Sequence, residues 1–124
     1  MCGIAGIVGK RDEDLARRMS ACLAHRGPDA DGLYSAEGAT LSHRRLSIID
    51  LAGGQQPMQT TDGALCIVYN GEIYNFRELR NDLAKLGLHA SSGTDTEIIL
   101  LAYRAWGPTA IDRLRGMFAF ALVD

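Results

Sequence analysis

The cysteine at position 2 is the first residue of this chain that could act as a nucleophile. Its small side chain lets an aminopeptidase remove Met1 from the new protein. Removal would leave Cys2 with a thiol and a free α-amino group, so that the nucleophile carries its own base. The position therefore allows an N-terminal nucleophile, although a cysteine at position 2 is weak evidence on its own. A half-buried residue at the start of a strand is the alternative.

The pair Asn70-Gly71 directly follows a predicted strand at 65–69. An amide side chain and a backbone N–H at a strand end can converge on one oxygen, as an oxyanion hole requires. Asn-Gly is also the commonest two-residue hairpin turn, and the pair alone favours that interpretation. The continuation 72–75 does not alternate like a returning strand and leads into a helix, which weakens the hairpin interpretation.

Three charged side chains could hold a zwitterionic ligand. Arg45 precedes an apolar run, and its guanidinium matches a carboxylate; a surface cation or a structural ion pair is the alternative. Asp95 begins a predicted helix, where it could bind an ammonium group or simply cap the helix. Together with Glu72, these residues suit an α-amino acid whose side-chain amide is presented to Cys2.

Composition limits the class of protein. A chain of 124 residues is long enough for one domain, 1–124, and too short for two. Its net charge of −2 argues against a nucleic-acid surface, and no run approaches the ~20 apolar residues of a membrane helix. Three cysteines without a secretory signal predict free thiols in a reducing, cytoplasmic compartment, with Cys22 and Cys66 as packing residues. Neither a metal-ligand pattern nor a histidine triad is evident.

The patterning predicts a mixed α and β domain. Strands are expected at 4–8, 32–35, 39–43, 65–69 and 117–123, and the first is apolar enough to be covered on both faces. Four helices are expected. Two lie at 12–25 and 108–114, a third begins after Asn75 as its cap, and a fourth runs from the Thr94–Glu97 capping box to Trp106.

Seven motifs in order resemble the N-terminal glutaminase domain of class II glutamine amidotransferases, most closely that of glutamine-hydrolysing asparagine synthetases. They cover essentially the whole chain: MCGIAGI at 1–7, RGPD at 26–29, RLSIIDL at 45–51, QPM at 56–58, NGEIYN at 70–75, GTDTE at 93–97 and LRGMFAFA at 114–121. One motif alone would be weak, whereas seven in register are specific.

The resemblance implies an α+β fold, the four-layer α/β/β/α sandwich of N-terminal-nucleophile hydrolases. It implies that Cys2 attacks the amide of glutamine and forms a thioester, and that Asn70 and Gly71 form the oxyanion hole. The implied ligand-binding residues are Arg45 for the carboxylate, Glu72 and Asp95 for the ammonium group, and the pocket-lining backbone of Leu46, Ser47, Ile48 and Ile49.

The family's domain is considerably longer, so we expect the sandwich to be incomplete at its C-terminal side. The resemblance implies glutamine as ligand and no cofactor in this chain, since ATP and Mg²⁺ belong to a synthetase domain normally found in the same polypeptide. It is compatible with a homodimer. Three alternatives stay open: an inactive glutamine-binding or scaffold fragment, the amidotransferase domain of a non-asparagine biosynthetic enzyme, and a redox domain, which the lack of a C-x-x-C pair disfavours.

Overall fold

The computed structural model describes residues 1–47 and 54–124. Within these ranges the elements follow one another as β1 (Gly3–Val8), α1 (Glu13–Cys22), β2 (Ala30–Ala36), β3 (Ala39–Arg45), β4 (Met58–Gln59), β5 (Cys66–Ile73), α2 (Phe76–Lys85), α3 (Asp95–Trp106), a 3-10 helix (Gly107–Arg113) and β6 (Gly116–Val123).

The first sheet has the strand order β1-β3-β2, with both pairs antiparallel. The strands expected at 32–35 and 39–43 are confirmed, and they form a hairpin in which β2 and β3 pair from Ala36↔Ala39 to Ala30↔Arg45. Both strands are longer than the pattern indicated, and the extension brings Arg45 to the last rung of the ladder. The edge strand β1 was expected to be covered on both faces; this is wrong at its end, where Val8 is 88% exposed.

The second sheet has the strand order β4-β5-β6, again antiparallel. The short strand β4 was not predicted and pairs only with the first two residues of β5. The strand expected at 65–69 instead continues to Ile73, because β6 pairs with it along its whole length. The hairpin interpretation of Asn70-Gly71 is therefore wrong, since both residues lie inside a strand.

The two sheets pack face to face between helices. Strands β1 and β3 contact β5, α1 covers the outer face of the first sheet, and α3 covers the outer face of the second with α2 beside it. A small core of Leu41, Cys66 and Val68 fills the space between the sheets. A larger core joins the other face of β5 to α2 and α3. The described residues thus form the expected α/β/β/α layers.

Helix α1 is shorter than predicted. Asp12 caps it by accepting a hydrogen bond from the Leu15 N–H, and the helix ends at Cys22 rather than continuing to residue 25. Its buried positions are Ala16 and Ser20. Cys22 is exposed, so its predicted packing role is wrong, whereas Cys66 is buried as expected.

The caps of α2 and α3 differ in kind. Thr94 caps α3 by accepting from the Glu97 N–H, as the capping box predicted. The Glu97 carboxylate does not return to Thr94 but accepts from the backbone and hydroxyl groups of Ser91 and Ser92. Asn75 stands at the cap of α2 but makes no capping hydrogen bond. Throughout the described part of the chain, helices are too short and too polar to cross a membrane.

Candidate active site

Cys2 lies immediately before β1, half-buried, against the end of β3. Its Sγ accepts a hydrogen bond from the Leu46 N–H at 3.5 Å and lies 4.0 Å from the Leu46 carbonyl oxygen. Met1 extends into solvent and is 72% exposed. The thiol is therefore fixed beside the segment that follows Arg45, with the chain terminus accessible.

The Arg-Gly-Pro-Asp motif anchors this corner. Arg26 Nε donates to the Cys2 carbonyl oxygen at 3.1 Å. Gly27 is buried so tightly that an added Cβ would lie 2.3 Å from the carbonyl carbon of Arg44. The Arg26 contact was not predicted from the sequence, where the motif appeared only as one of the seven that carry the family resemblance.

The end of β3 presents a cation to the space between the sheets. Arg45 is 8% exposed and shares a strand face with Leu41 and His43, because side chains alternate along a strand. Asp29 holds the chain on either side of Leu46: its N–H donates to the Arg45 carbonyl at 3.0 Å, and its Oδ2 accepts from the Ser47 N–H at 2.6 Å.

Of the predicted pocket-lining residues, the structure thus places Leu46 beside the thiol, and Ser47 follows it with its N–H bonded to Asp29. The predicted residues Ile48 and Ile49 lie outside the described residues.

His43 is a buried, neutral neighbour of this cation. Burial lowers the pKa of His43 to about 4; the Arg45 charge also lowers it, and a hydrogen bond to the Tyr69 backbone opposes both. Its Nε2 is buried and has no hydrogen-bond partner in the described part of the chain. No role for this histidine was predicted from the sequence, although its spacing of two residues from Arg45 indicates that both lie on the same face of β3.

Asn70 and Gly71 occupy opposite faces of β5. Asn70 continues the face of Cys66 and Val68, which is directed at the first sheet. Gly71 has φ +157, and an added Cβ would lie 2.3 Å from the Met117 carbonyl oxygen in β6. Only a glycine leaves room for this close approach of the two strands.

Among residues 1–47 and 54–124, no strand pairs with this edge of β5 beyond β4. The Tyr69 N–H donates to Gln56 Oε1 at 2.6 Å, and the Ile73 N–H donates to Asp95 Oδ2 at 3.0 Å, so both point away from β6. Because residues two apart in an antiparallel strand direct their N–H groups to the same side, the Gly71 N–H points to this edge as well. A backbone donor therefore lies between Gln56 and Asp95.

Asp95 does not cap its helix, since Thr94 does. Its Oδ2 accepts from the Tyr69 hydroxyl at 2.6 Å as well as from the Ile73 N–H. The carboxylate is thus tied to both ends of the segment that contains Asn70 and Gly71. Tyr69 was missed from the sequence, where it appeared only as a strand residue; Glu72, by contrast, is exposed on β5.

A pocket of ≈ 730 Å³ adjoins Arg45 and Ser47 without reaching Cys2 or the β5 residues proposed for the site. Its lining comprises Asp29, Ala30, Asp31, Gly32, Leu33, His43, Arg45, Ser47, Gln55, Gln56 and Pro57. No trio of His, Cys, Asp or Glu within 1–47 and 54–124 is placed to hold a metal ion. The candidate site is therefore defined by hydrogen-bond geometry at the sheet ends rather than by this pocket.

Comparison with known proteins identifies the class. A family model described as a glutamine amidotransferase domain matches residues 1–124. Glutamine-hydrolyzing asparagine synthetase 1 of Bacillus subtilis (strain 168) is 41% identical over 98% of this chain and 20% of the relative. The Zea mays glutamine-hydrolyzing asparagine synthetase is 42% identical over 100% of this chain and 22% of its own length. Asparagine synthetase B of Escherichia coli (strain K12) is 39% identical over 100% and 23%.

The chain therefore spans about a fifth of the length of these relatives. A solved glutamine phosphoribosylpyrophosphate amidotransferase from B. subtilis superposes with a TM-score of 0.73 at 16% identity, covering 99% of this chain and 35% of that one. At this identity the likeness supports the fold. The four-layer sandwich and the full-length family match agree, and the chain belongs to the glutamine amidotransferase domain family.

Proposed function

We propose that this domain hydrolyses the side-chain amide of glutamine, with Cys2 as nucleophile, to glutamate and ammonia. The observation that carries the proposal is the position of Cys2 Sγ, which accepts a hydrogen bond at 3.5 Å from the N–H of Leu46, the residue that follows the buried Arg45 in the chain. Membership of the glutamine amidotransferase domain family across the whole chain supports it.

In the proposed mechanism, removal of Met1 frees the α-amino group of Cys2. This amine takes the thiol proton as sulfur attacks the amide carbon, and it then returns a proton to the departing nitrogen, so that ammonia leaves and a thioester forms. Water attacks the thioester, releasing glutamate and restoring the thiol. The Asn70 amide and the Gly71 N–H, at the open edge of β5, would stabilise the oxyanion at both tetrahedral stages.

Recognition of the glutamine head group is proposed for the charged residues around this edge. Arg45 would bind the α-carboxylate, since a guanidinium forms paired hydrogen bonds with a carboxylate. Glu72 and Asp95 would bind the α-ammonium group. The backbone of Leu46, Ser47, Ile48 and Ile49 would line the rest of the glutamine-binding site.

Within a longer polypeptide, the ammonia would feed ATP- and Mg²⁺-dependent synthesis of asparagine from aspartate by a synthetase domain. The names and lengths of the relatives support this pathway. We also propose a cytoplasmic location, because a catalytic thiol must stay reduced and all three cysteines are free. Assembly as a homodimer is a further proposal, to be tested by measuring mass in solution.

Covalent labelling tests the nucleophile. A diazoketone analogue of glutamine should alkylate Cys2 with loss of dinitrogen, and peptide mass spectrometry should locate the adduct there. Cys22 is an internal control because it is exposed, whereas burial raises the pKa of the Cys66 thiol to about 11 and keeps it unreactive. Glutamine should protect Cys2, and the Cys2→Ala variant should take no adduct.

The amine's role is tested with the same protein. Intact mass separates chains that keep Met1 from those that have lost it, and only the latter should turn over. An unlabelled Cys2 in folded, Met-free protein contradicts the proposed mechanism, as does full turnover by the Met1-retaining form. Glutamine binding without glutamate release would instead favour a binding role.

A further inference from the structure

Tyr69 is a buried residue that the proposed mechanism does not use, although it contacts three parts of the site. It is 3% exposed, and its hydroxyl donates to Asp95 Oδ2 at 2.6 Å. Its backbone N–H donates a hydrogen bond to Gln56 Oε1, and its backbone carbonyl accepts one from the His43 ring. A side chain that only filled the core would not need this hydroxyl, since buried hydroxyls are costly unless they are paired.

The hydrogen bonds of Asp95 are arranged asymmetrically. Both the Tyr69 hydroxyl and the Ile73 N–H go to the same oxygen, Oδ2. With both donors on Oδ2, the second oxygen of Asp95 is not engaged by either of them. The Gly71 N–H points to the same strand edge as the Ile73 N–H that Asp95 accepts, so a ligand held by that donor would approach the side of β5 that carries Asp95.

We propose that Tyr69 is a positioning residue for ligand recognition: its hydroxyl fixes Asp95 so that the second carboxylate oxygen is presented to the ligand's α-ammonium group. This inference rests on the proposed glutamine site and adds the determinant of its α-amino specificity. The hydroxyl is a permanent donor, because burial and the Asp95 carboxylate raise the pKa of Tyr69 far above its usual range.

The variant Tyr69→Phe keeps the ring and removes only the hydroxyl. Binding is measured by calorimetry in the Cys2→Ala background, which prevents turnover, with glutamine and with its desamino analogue, glutaric acid monoamide. Loss of a hydrogen bond to a charged group should weaken glutamine binding roughly tenfold. Binding of the desamino analogue, which has no ammonium group to be held, should stay within about twofold.

The ratio of the two dissociation constants is insensitive to the folded fraction, since both ligands are titrated into the same sample. The matched control is Tyr103→Phe, because Tyr103 lies on the same helix as Asp95 and its hydroxyl bonds the Asp124 carboxylate at 3.3 Å instead. That variant should leave the ratio unchanged. In an Asp95→Asn background, Tyr69→Phe should have no further effect on the ratio.

An equal weakening of both ligands by Tyr69→Phe would overturn the inference, because it would show a purely structural role. If Tyr69→Phe removes the preference for glutamine over the desamino analogue while the wild-type protein releases no glutamate, that result supports the inference and contradicts the proposed hydrolysis. A wild-type ratio near one would contradict the α-ammonium contact and, with it, the role of Tyr69. Binding of neither ligand would overturn both proposals.

Discussion

Acidification should destabilise this fold through one histidine. His43 is 1% exposed, and its pKa is lowered from 6.5 to about 4, chiefly by burial. The folded state therefore excludes a proton that the unfolded chain binds once the pH falls below about 6.5. The stability due to neutral His43 is fully present above pH 6.5 and is lost progressively as the pH falls toward 4.

The magnitude follows from the difference in proton binding. With a pKa of 6.5 unfolded and about 4 folded, the linkage relation gives a loss of ~2 kcal/mol at about pH 5 and almost none at about pH 7.5. Acidic groups with lowered pKa values contribute mainly below this window; they are Asp12, Glu13, Asp62 and Glu97.

The assay is urea unfolding of wild type and His43→Gln across this pH range. The side chain introduced by His43→Gln is polar but does not titrate, so the effect of the substitution itself on the free energy of unfolding is the same at every pH. The wild type should lose ~2 kcal/mol more than the variant between about pH 7.5 and 5. Parallel pH profiles for the two proteins would refute the buried, neutral state of His43.

Two further predictions concern the strands and loops around Cys2. Gly71→Ala should destabilise the protein by ~2 kcal/mol or more in urea unfolding, because the added Cβ would overlap the backbone of β6. Gly38→Ala is the control and should be nearly neutral, because its added Cβ would meet nothing within 4 Å. Equal losses of stability in the two variants would contradict the prediction. Arg26→Gln should lower glutamine turnover roughly tenfold with little change in the urea unfolding midpoint, because the Cys2 carbonyl loses its hydrogen bond to the guanidinium. Unchanged turnover would show that Arg26 does not position Cys2.

Local patterns predicted most of the architecture. The strands β2 and β3 were expected close to where they lie, and α3 begins at its predicted Thr94 cap. Both signals act over a few residues, so the sequence carries them directly. The end of β5 was predicted wrongly, because an Asn-Gly pair ordinarily breaks a strand and only the distant β6 overrides that tendency.

Side-chain partners across the fold were harder to predict. Cys22 has apolar neighbours in sequence yet lies on the outer side of α1, and a shift of one position around a helix decides this. The position of Asp95 at a helix start suggested either an ammonium-binding residue or a helix cap, whereas its bond to Tyr69 depends on how α3 packs on β5. Such contacts join residues 26 positions apart and have no local signature.

The layers divide the proposed chemistry between the two sheets. The thiol and the cation lie at the adjoining ends of β1 and β3 in the first sheet. The proposed oxyanion donors lie on β5 in the second sheet, to which Asp95 of α3 is hydrogen-bonded. Their relative position depends on the small core of Leu41, Cys66 and Val68 that separates the sheets. Because close-packed interiors respond to single methylene groups, this core sets the distance between Cys2 and the β5 residues proposed as oxyanion donors.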